Sequence, residues 1–137
     1  MQRVSVSRTV DADPDEIRAA MDDLAAFMRA AKFDEVRVEG DRLELANRVG
    51  LFEIELELAV IETDAALAYE QREGIFESMD TEYTIDERDG RTEVTATTEF
   101  ELLDLPVLGE MIDATIIKRQ RRKELTAQFD WLEETLG

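Results

Sequence analysis

The sequence predicts an α+β domain: an antiparallel sheet of six to seven strands, with two short helices after the first strand and a long helix at the C-terminus. The prediction rests on changes in the hydrophobic period along the chain. Apolar residues recur at every second position at the start, at helical spacing over residues 14–31, and at every second position again over 35–102. After Pro106 the helical period continues to the end of the chain. Runs of strands flanked by helices are typical of α+β architectures.

The opening segment supplies the first strand and the two short helices. Asp13 and Pro14 mark the start of the first helix, because aspartate is a preferred N-cap residue and proline suits the first turn. We predict a second short helix from Leu24 to Ala31. The strand before them contains three valines that alternate with polar residues: Val4, Val6 and Val10.

The rest of the chain is predicted to form six more strands and one long helix. Each strand has one apolar face and one face rich in acidic residues, which is typical of an antiparallel sheet covered on one side only. The long helix is predicted from Val107 to Leu136. The six strands occupy residues 35–39, 43–49, 52–60, 67–73, 79–85 and 94–102.

The length and charge of the chain bound its organisation and habitat. Its 137 residues are a common size for one domain, so we expect a single domain over 1–137. It carries 34 acidic and 16 basic residues, with a formal net charge of −18. Such a charge opposes folding through self-repulsion unless salt screens it, and the Debye length falls to about 3 Å at 1 M salt. With its few lysines, the composition predicts a protein from a halophilic organism; an acidic protein from an ordinary cell is the alternative.

The composition also argues against several classes of function. The negative charge disfavours binding to nucleic acid and to anionic membrane surfaces. The chain has no cysteine and no histidine, so a thiolate nucleophile, a Ser-His-Asp triad and a zinc site are not expected. No segment is apolar enough for stable membrane insertion, and the N-terminus lacks the features of a signal peptide. We therefore expect a cytoplasmic protein without a metal or another cofactor.

Two segments carry a family resemblance. The first comprises the strand Val4–Val10, the helix start Asp13-Pro14-Asp15-Glu16-Ile17 and the break at Asp23-Leu24. The second is Phe100–Gly109, which contains a Pro-x-Leu-Gly element at Pro106 and leads into a helix with several basic residues. These segments and the order of elements resemble the START-like (SRPBCC) superfamily, in particular its polyketide cyclase/dehydrase and lipid-transport branch. The resemblance covers essentially the whole chain.

The resemblance implies a helix-grip fold, in which the long helix packs over the concave face of a curved sheet and a cavity lies between them. It implies binding of an apolar or amphipathic small molecule, such as a lipid, an isoprenoid or a polyketide-like compound. A cyclase or dehydratase that uses the same cavity is a second hypothesis, for which the catalytic residues are unknown. A ligand-free module that binds a partner protein is the third. Similarity of fold does not decide among them.

Candidate ligand-binding residues are the polar and aromatic groups expected to face the cavity. Strand parity places eight of them on the inner face of the sheet: Arg8, Asn47, Tyr69, Gln71, Glu73, Thr81, Tyr83 and Thr98. Helical spacing at about 100° per residue places four more on or beside the apolar stripe of the last helix: Met111, Thr115, Lys118 and Arg122. A bulge near Gly74 would turn some of the strand residues outward.

Basic residues lie where the last helix should face the sheet. Lys118 is in the middle of the apolar stripe, with Arg121 and Arg122 at its edges. One hypothesis is that these cations bind the carboxylate or phosphate head group of a ligand, since a charge in an apolar site must be paired. The alternative is that their apolar stems cover the core while the charges reach water, or that they pair with acidic residues of the protein.

Overall fold

The fold is known from a computed structural model, which describes residues 1–49, 52–102 and 114–136. Among these residues, the strands are β1 (Gln2–Val10), β2 (Glu35–Glu39), β3 (Arg42–Val49), β4 (Phe52–Val60), β5 (Leu67–Glu73), β6 (Phe76–Arg88) and β7 (Arg91–Leu102). The helices are α1 (Pro14–Asp22), α2 (Leu24–Ala30) and α3 (Ala114–Leu136). This order confirms the predicted α+β class and the helix-grip arrangement.

All seven strands form one antiparallel sheet in the order β1-β7-β6-β5-β4-β3-β2. Five of the six pairings join strands that are consecutive in the chain, whereas β1 pairs with β7 at the far end of the sequence. The outer face keeps its predicted acidic character, with Glu44 opposite Glu57 and Asp80 opposite Glu99. The inner face is apolar and packs under the helices to form the core.

Two tight turns need backbone conformations that glycine adopts easily. Gly40, between β2 and β3, has a φ of 58°, and Gly90, between β6 and β7, has a φ of 79°. Asp89 before Gly90 also has a positive φ, of 53°. Two consecutive residues with positive φ are typical of the hairpin turns that match the twist of antiparallel strands. The sequence signals for turns at Gly40 and Gly90 are therefore confirmed.

The pairing of β4 with β5 contains a register shift between Glu57 and Leu58. Leu58 points into the core and pairs with Gln71, whereas Glu57 points outward and pairs with Glu73. Gln71 and Glu73 are two positions apart, so in a regular strand they would share one face. The shift places them on opposite faces, as a bulge does.

Side-chain caps define the starts of the two short helices. The side chain of Glu16 accepts a hydrogen bond from the Asp13 backbone N–H at 3.3 Å, which forms one half of a capping box before α1. Asp23 accepts a bond from the Ala26 backbone N–H at 3.3 Å at the start of α2. α2 then packs against α3, where the rings of Phe27 and Trp131 lie 6.2 Å apart between centroids.

The long helix α3 lies closest to β1 and also contacts α1 and α2. Its buried residues are Ile117, Arg121, Glu124, Leu125, Gln128, Phe129 and Leu132. At 100° per residue, the centre of this face is rotated by about 45° from the predicted apolar stripe, away from Lys118 and towards Arg121. The predicted start of the helix at Val107 lies outside the described residues. None of the described helices has the length and hydropathy needed to cross a bilayer.

Candidate functional site

Three polar residues of α3 lie inside the protein. Arg121 is 7% exposed, Glu124 is 4% exposed and Gln128 is 1% exposed. Their spacing of three and four places them on the same helix face as Leu125 and Leu132, so packing of the apolar residues carries them into the core as well. Polar groups at this depth have to be hydrogen-bonded. Each of the three has a partner on the sheet or on α2.

The carboxylate of Glu124 is held by three donors. Its Oε1 accepts a hydrogen bond from Arg121 Nη1 at 2.6 Å. Its Oε2 accepts bonds from Asn47 Nδ2 at 3.0 Å and from Gln120 Nε2 at 3.1 Å. Because a carboxylate only accepts, both amides must present their nitrogens to it, and their carbonyl oxygens stay available for other partners. Such charge-assisted bonds compensate the loss of water around a buried carboxylate.

The guanidinium of Arg121 joins Glu124 to the sheet. Besides the bond to Glu124, its Nη2 donates to Thr81 Oγ1 at 3.2 Å, and the Thr81 hydroxyl donates to Thr98 Oγ1 at 2.9 Å. Desolvation by burial lowers the pKa of Arg121, but interactions with Tyr69, Glu124 and Tyr83 outweigh this and hold the pKa above its usual value. The buried Nε of Arg121 has no hydrogen-bond partner among the described residues. The side chain is therefore charged, and its Nε–H is a donor that the described residues do not use.

A second chain of hydrogen bonds runs from β5 through β6 and α3 to α2. The Tyr83 hydroxyl donates to Gln128 Oε1 at 2.6 Å, so Tyr69, whose hydroxyl oxygen is 3.3 Å away, must donate to Tyr83. Gln128 Nε2 donates to the backbone carbonyl of Phe27 at 3.1 Å. Burial raises the pKa of Tyr83 well above that of an exposed phenol, so its proton stays in place at neutral pH. This chain fixes α3 and α2 against the sheet.

A small pocket lies between the N-terminal half of α3 and strands β3 and β4. Its volume is about 30 Å³, which is room for one or two water molecules. Four polar side chains of the described residues reach its wall: Asn47, Gln120, Arg121 and Glu124. The other described residues of the wall are apolar: Phe33, Leu45, Ile54, Leu56, Phe76 and Ile117. The Arg121–Glu124 pair thus stands at the boundary between the packed core and this space.

Most of the predicted inner-face residues do point into the protein. Five of them are buried: Asn47, Tyr69, Thr81, Tyr83 and Thr98. Asn47 lines the pocket, and the other four belong to the two hydrogen-bond clusters behind it. Gln71 is half-buried and holds the backbone of Phe76 with two bonds, of 2.8 and 3.2 Å. Direct contact of any of these residues with a ligand stays a prediction.

The predicted inward orientation of Glu73 is wrong. The register shift between β4 and β5 turns Glu73 to the exposed outer face, opposite Glu57. Arg8 is half-buried, but it does not reach the pocket. Its Nη1 lies 2.8 Å from Asp130 Oδ1 and 3.5 Å from Glu133 Oε1, so it joins β1 to the C-terminal half of α3. The hydrogen bond to Asp130 raises the pKa of Arg8.

The rotation of α3 also moves the predicted helix residues away from the pocket. Thr115 and Arg122 are exposed, and Lys118 is half-buried; none of them lines the pocket. Arg122 Nη1 lies 3.5 Å from the backbone oxygen of Ser5, at the edge of β1. Met111 lies outside the described residues.

Sequence reasoning missed Gln120, Glu124 and Gln128 as pocket or core residues, and it placed Arg121 only at the edge of the stripe. Two signals were present. Arg121, Glu124 and Gln128 share a helix face with Leu125 and Leu132. In addition, the predicted inward position of Asn47 required a buried partner for its amide. Together these signals would have pointed to a polar contact between β3 and the final helix.

The arrangement is suited to holding a polar group and less suited to proton transfer. Among the described residues that line the pocket, Arg121 stays protonated and both oxygens of Glu124 are already hydrogen-bonded. The groups that the described bonds leave unused include the Nε–H donor of Arg121 and the amide oxygens of Asn47 and Gln120. A mostly apolar pocket with a few such polar groups has the character of a small-molecule site.

The whole chain matches the profile of one protein family. A profile described as "Polyketide cyclase / dehydrase and lipid transport" matches residues 1–137. The chain belongs to the polyketide cyclase / dehydrase and lipid transport family. Membership in this family agrees with the helix-grip fold. Among curated proteins, none matches the chain.

Solved structures show the same fold at low sequence identity. The protein TTHA0849 from Thermus thermophilus is 18% identical, with a TM-score of 0.73 over 97% of this chain and 95% of that one. A START superfamily protein from Mycobacterium smegmatis is 15% identical, with a TM-score of 0.75 over 98% and 96%. The Zhui aromatase/cyclase from Streptomyces sp. R1128 is 19% identical, with a TM-score of 0.73 over 95% and 92%. At such low identities, these structures show that the chain shares their fold and nothing more.

Proposed function

We propose that this protein binds an apolar or amphipathic small molecule, such as a lipid, an isoprenoid or a polyketide-like compound, between α3 and strands β3 and β4. The observation that carries the proposal is the apolar pocket whose polar groups converge on the buried Arg121–Glu124 pair. Ligand pockets usually combine an apolar wall with a few placed polar groups. Membership in a family that includes lipid transport supports the same conclusion.

A second, larger space on the protein is less suitable for such a ligand. It is an open groove of about 720 Å³ along β2, β3, β4 and the end of β5. Its walls are largely polar, because five glutamates contribute to them: Glu35, Glu44, Glu55, Glu57 and Glu73. Apolar surface gains nothing from moving out of water into such a charged groove. The pocket under α3 is therefore the better candidate.

The size of the pocket determines how binding has to occur. Typical ligand sites enclose about 300–1,000 Å³, whereas the described residues enclose about 30 Å³. α3 packs closest to β1. The pocket lies on the other side of α3, between the helix and strands β3 and β4 in the opposite half of the sheet. We therefore expect a ligand to enlarge the space by moving side chains such as Phe33, Ile54 and Ile117.

Two alternatives have weaker support. A cyclase or dehydratase needs a group that donates or accepts a proton beside the ligand, and the described residues of the pocket offer no such group with a free position. A partner-binding module needs an exposed apolar patch. Among the described residues, only two large apolar side chains are exposed: Met1, which precedes β1, and Ile116 of α3.

The test is binding to a panel of apolar ligands in high salt, where the charge of −18 is screened. Native mass spectrometry with solvent extraction, on protein purified from a high-salt cytoplasm without detergent, is expected to show a stoichiometric small molecule. Amide chemical shifts are expected to change on β3, β4 and the first half of α3 when that molecule is added back.

A matched pair of variants locates the site. Ile117→Trp fills the pocket and is expected to abolish binding, whereas Ile116→Trp, at the neighbouring exposed position, is expected to leave it unchanged. Circular dichroism has to show that both variants fold. Equal binding by the two variants would place the site elsewhere, and no binding by the unmodified protein would contradict the proposal.

A further inference from the structure

Resting on the proposed binding function, we infer that the pocket selects ligands with a neutral oxygen, in a hydroxyl or carbonyl group, over carboxylates and phosphates on a chain of the same length. The selectivity follows from the charge balance of the pocket, from the ion pair between Glu124 and Arg121, and from the hydrogen-bonding positions that the described side chains leave open.

The charges of the described residues that line the pocket cancel. Among these residues Arg121 and Glu124 are the charged ones, and their Nη1 and Oε1 atoms are 2.6 Å apart. Both side chains are more than nine-tenths buried. The cation that would attract an anionic head group is therefore already neutralised by a carboxylate of the protein.

A ligand carboxylate would have to compete with Glu124 for the guanidinium. If it displaced Glu124, that buried carboxylate would keep only the donors Asn47 and Gln120 and would lose its cation. If it bound beside Glu124, two negative charges would share one cation in a site with little water. Both arrangements are unfavourable, because removing one partner of a buried ion pair leaves an uncompensated charge.

The open hydrogen-bonding positions suit an uncharged oxygen. Arg121 Nε is buried without a partner among the described residues, and a buried donor left unsatisfied destabilises the protein. The described hydrogen bonds of Asn47 and Gln120 use their nitrogens, so their amide oxygens can accept. Once side-chain movement opens the pocket to Arg121 Nε–H, a ligand carbonyl can accept from it, and a hydroxyl can in addition donate to an amide oxygen. Neither group disturbs the ion pair.

The experiment compares four ligands that share a ten-carbon chain: 1-decanol, 2-decanone, decanoate and decane. Binding is measured by calorimetry at about pH 8, where a carboxylic acid is fully ionised. It is carried out in about 1 M KCl, because the Debye length is then about 3 Å and the net charge of the protein no longer repels an anion from a distance. The second readout is the ¹⁵N–¹H signal of Arg121 Nε, which is identified by its loss in Arg121→Lys.

We expect 1-decanol and 2-decanone to bind at least about tenfold more tightly than decanoate and decane. They should also shift the Arg121 Nε–H signal and slow its exchange with water. A matched pair of variants tests the charge balance. Glu124→Gln leaves the pocket with one net positive charge and should raise the affinity for decanoate about tenfold. Glu134→Gln, which removes the same charge from an exposed position of α3, should leave it unchanged.

The outcomes separate the inference from the proposed function. Decanoate that binds as tightly as 1-decanol would overturn the selectivity and leave the binding function standing. Decane that binds equally well, with no change in the Arg121 Nε–H signal, would show that the site does not use a ligand oxygen. No binding of any of the four would overturn the proposed function itself. If Glu124→Gln does not fold, the four ligands and the Nε–H signal of the unmodified protein still decide.

Discussion

Glu124 of α3 and Asn47 of β3 are joined by a buried hydrogen bond of 3.0 Å between residues 77 positions apart in the chain. α3 lies closest to β1, near one edge of the sheet, whereas β3 belongs to the opposite half. The bond therefore spans the part of the protein where helix and sheet are separated by the pocket. The side-chain amide of Asn47 therefore helps to hold α3 in its position over the sheet.

Asn47→Ala is expected to lower the free energy of unfolding by about 2 kcal/mol, because hydrogen bonds to charged groups contribute about 1.5–3 kcal/mol. The substitution removes one of the three donors of Glu124. Urea denaturation in high salt is the suitable measurement, since urea is uncharged and does not alter screening. Thr84→Ala, at an exposed position of β6, is the control. A change as small as that of the control would mean that the bond does not hold the helix.

Arg121→Met is expected to destabilise the fold by about 3–4 kcal/mol, because it leaves the carboxylate of Glu124 buried without its cation. Adding Glu124→Gln should recover part of this loss, since the double variant has no unpaired charge. A double-mutant cycle from urea denaturation measures the coupling. Arg42→Met is the control, because Arg42 pairs with Glu57 at 3.2 Å on the solvated face, where ion pairs contribute about 0–1 kcal/mol. Additive effects at 121 and 124 would contradict the coupling.

Tyr83→Phe is expected to lower the free energy of unfolding by about 1 kcal/mol at neutral pH, because the hydrogen bonds with Gln128 and Tyr69 are lost.

Tyr83→Phe should also change how the stability of the protein depends on pH in alkali. Folding raises the pKa of Tyr83, so the folded protein keeps a proton that the unfolded chain loses above about pH 10. The contribution of the Tyr83 hydroxyl to the free energy of unfolding is fully present below that pH and falls as the pH rises above it. Denaturation at about pH 8 and pH 11 should show a smaller alkaline loss in Tyr83→Phe than in the unmodified protein; equal losses would contradict this role.

Asp80→Asn is expected to stabilise the protein in low salt by about 0.5 kcal/mol, the scale of a cross-strand pair. Asp80 lies between Glu70 of β5 and Glu99 of β7 on the outer face. Desolvation raises its pKa, and the neighbours Glu99, Glu82 and Glu70 raise it further. A carboxyl whose pKa is raised by folding opposes folding above that pKa, and the cost disappears as the pH falls through it.

The gain from Asp80→Asn should therefore shrink in acid and in about 1 M KCl, where exposed charges are screened. Asp64→Asn is the control, because it makes the same chemical change at an exposed position in the connection between β4 and β5. Thermal unfolding at several salt concentrations measures both variants. A gain that is equal in low and high salt would show that repulsion between the strands is not its cause.

The strands and helices could be predicted from sequence because the sheet has one dry and one wet face. In β4, for instance, Ile54 and Leu58 are buried while Glu53 and Glu55 are exposed, so hydrophobic alternation reports the strand directly. The same signal predicts the side chains that turn inward as long as the register is regular. It fails at Glu73, because the position of a register shift depends on the partner strand, and Gly74 indicates a bulge without saying which residues it would turn outward.

The orientation of α3 could not be predicted in the same way. Hydropathy counts Arg121, Glu124 and Gln128 as residues that avoid the core, and the predicted stripe was therefore centred near Lys118. In the protein these three are buried because Asn47 of β3 and Thr81 and Tyr83 of β6 supply their partners. Partners so distant in sequence cannot be identified until the arrangement of the strands is known. Sequence periodicity therefore does not predict the buried polar residues of the candidate site.

The bond from Gln128 to the Phe27 carbonyl bears on how the chain is made. α2 has seven residues, fewer than a helix needs to be stable alone, and one of its last carbonyls is satisfied by a residue 101 positions later. β1 likewise has no partner strand until β7 has been synthesised. A ribosome adds about 5–20 residues per second, so both elements stay incomplete for seconds during synthesis. A chain released before residue 114 would leave β1 without the helix that packs against it, and exposed strand edges pair with other nascent chains.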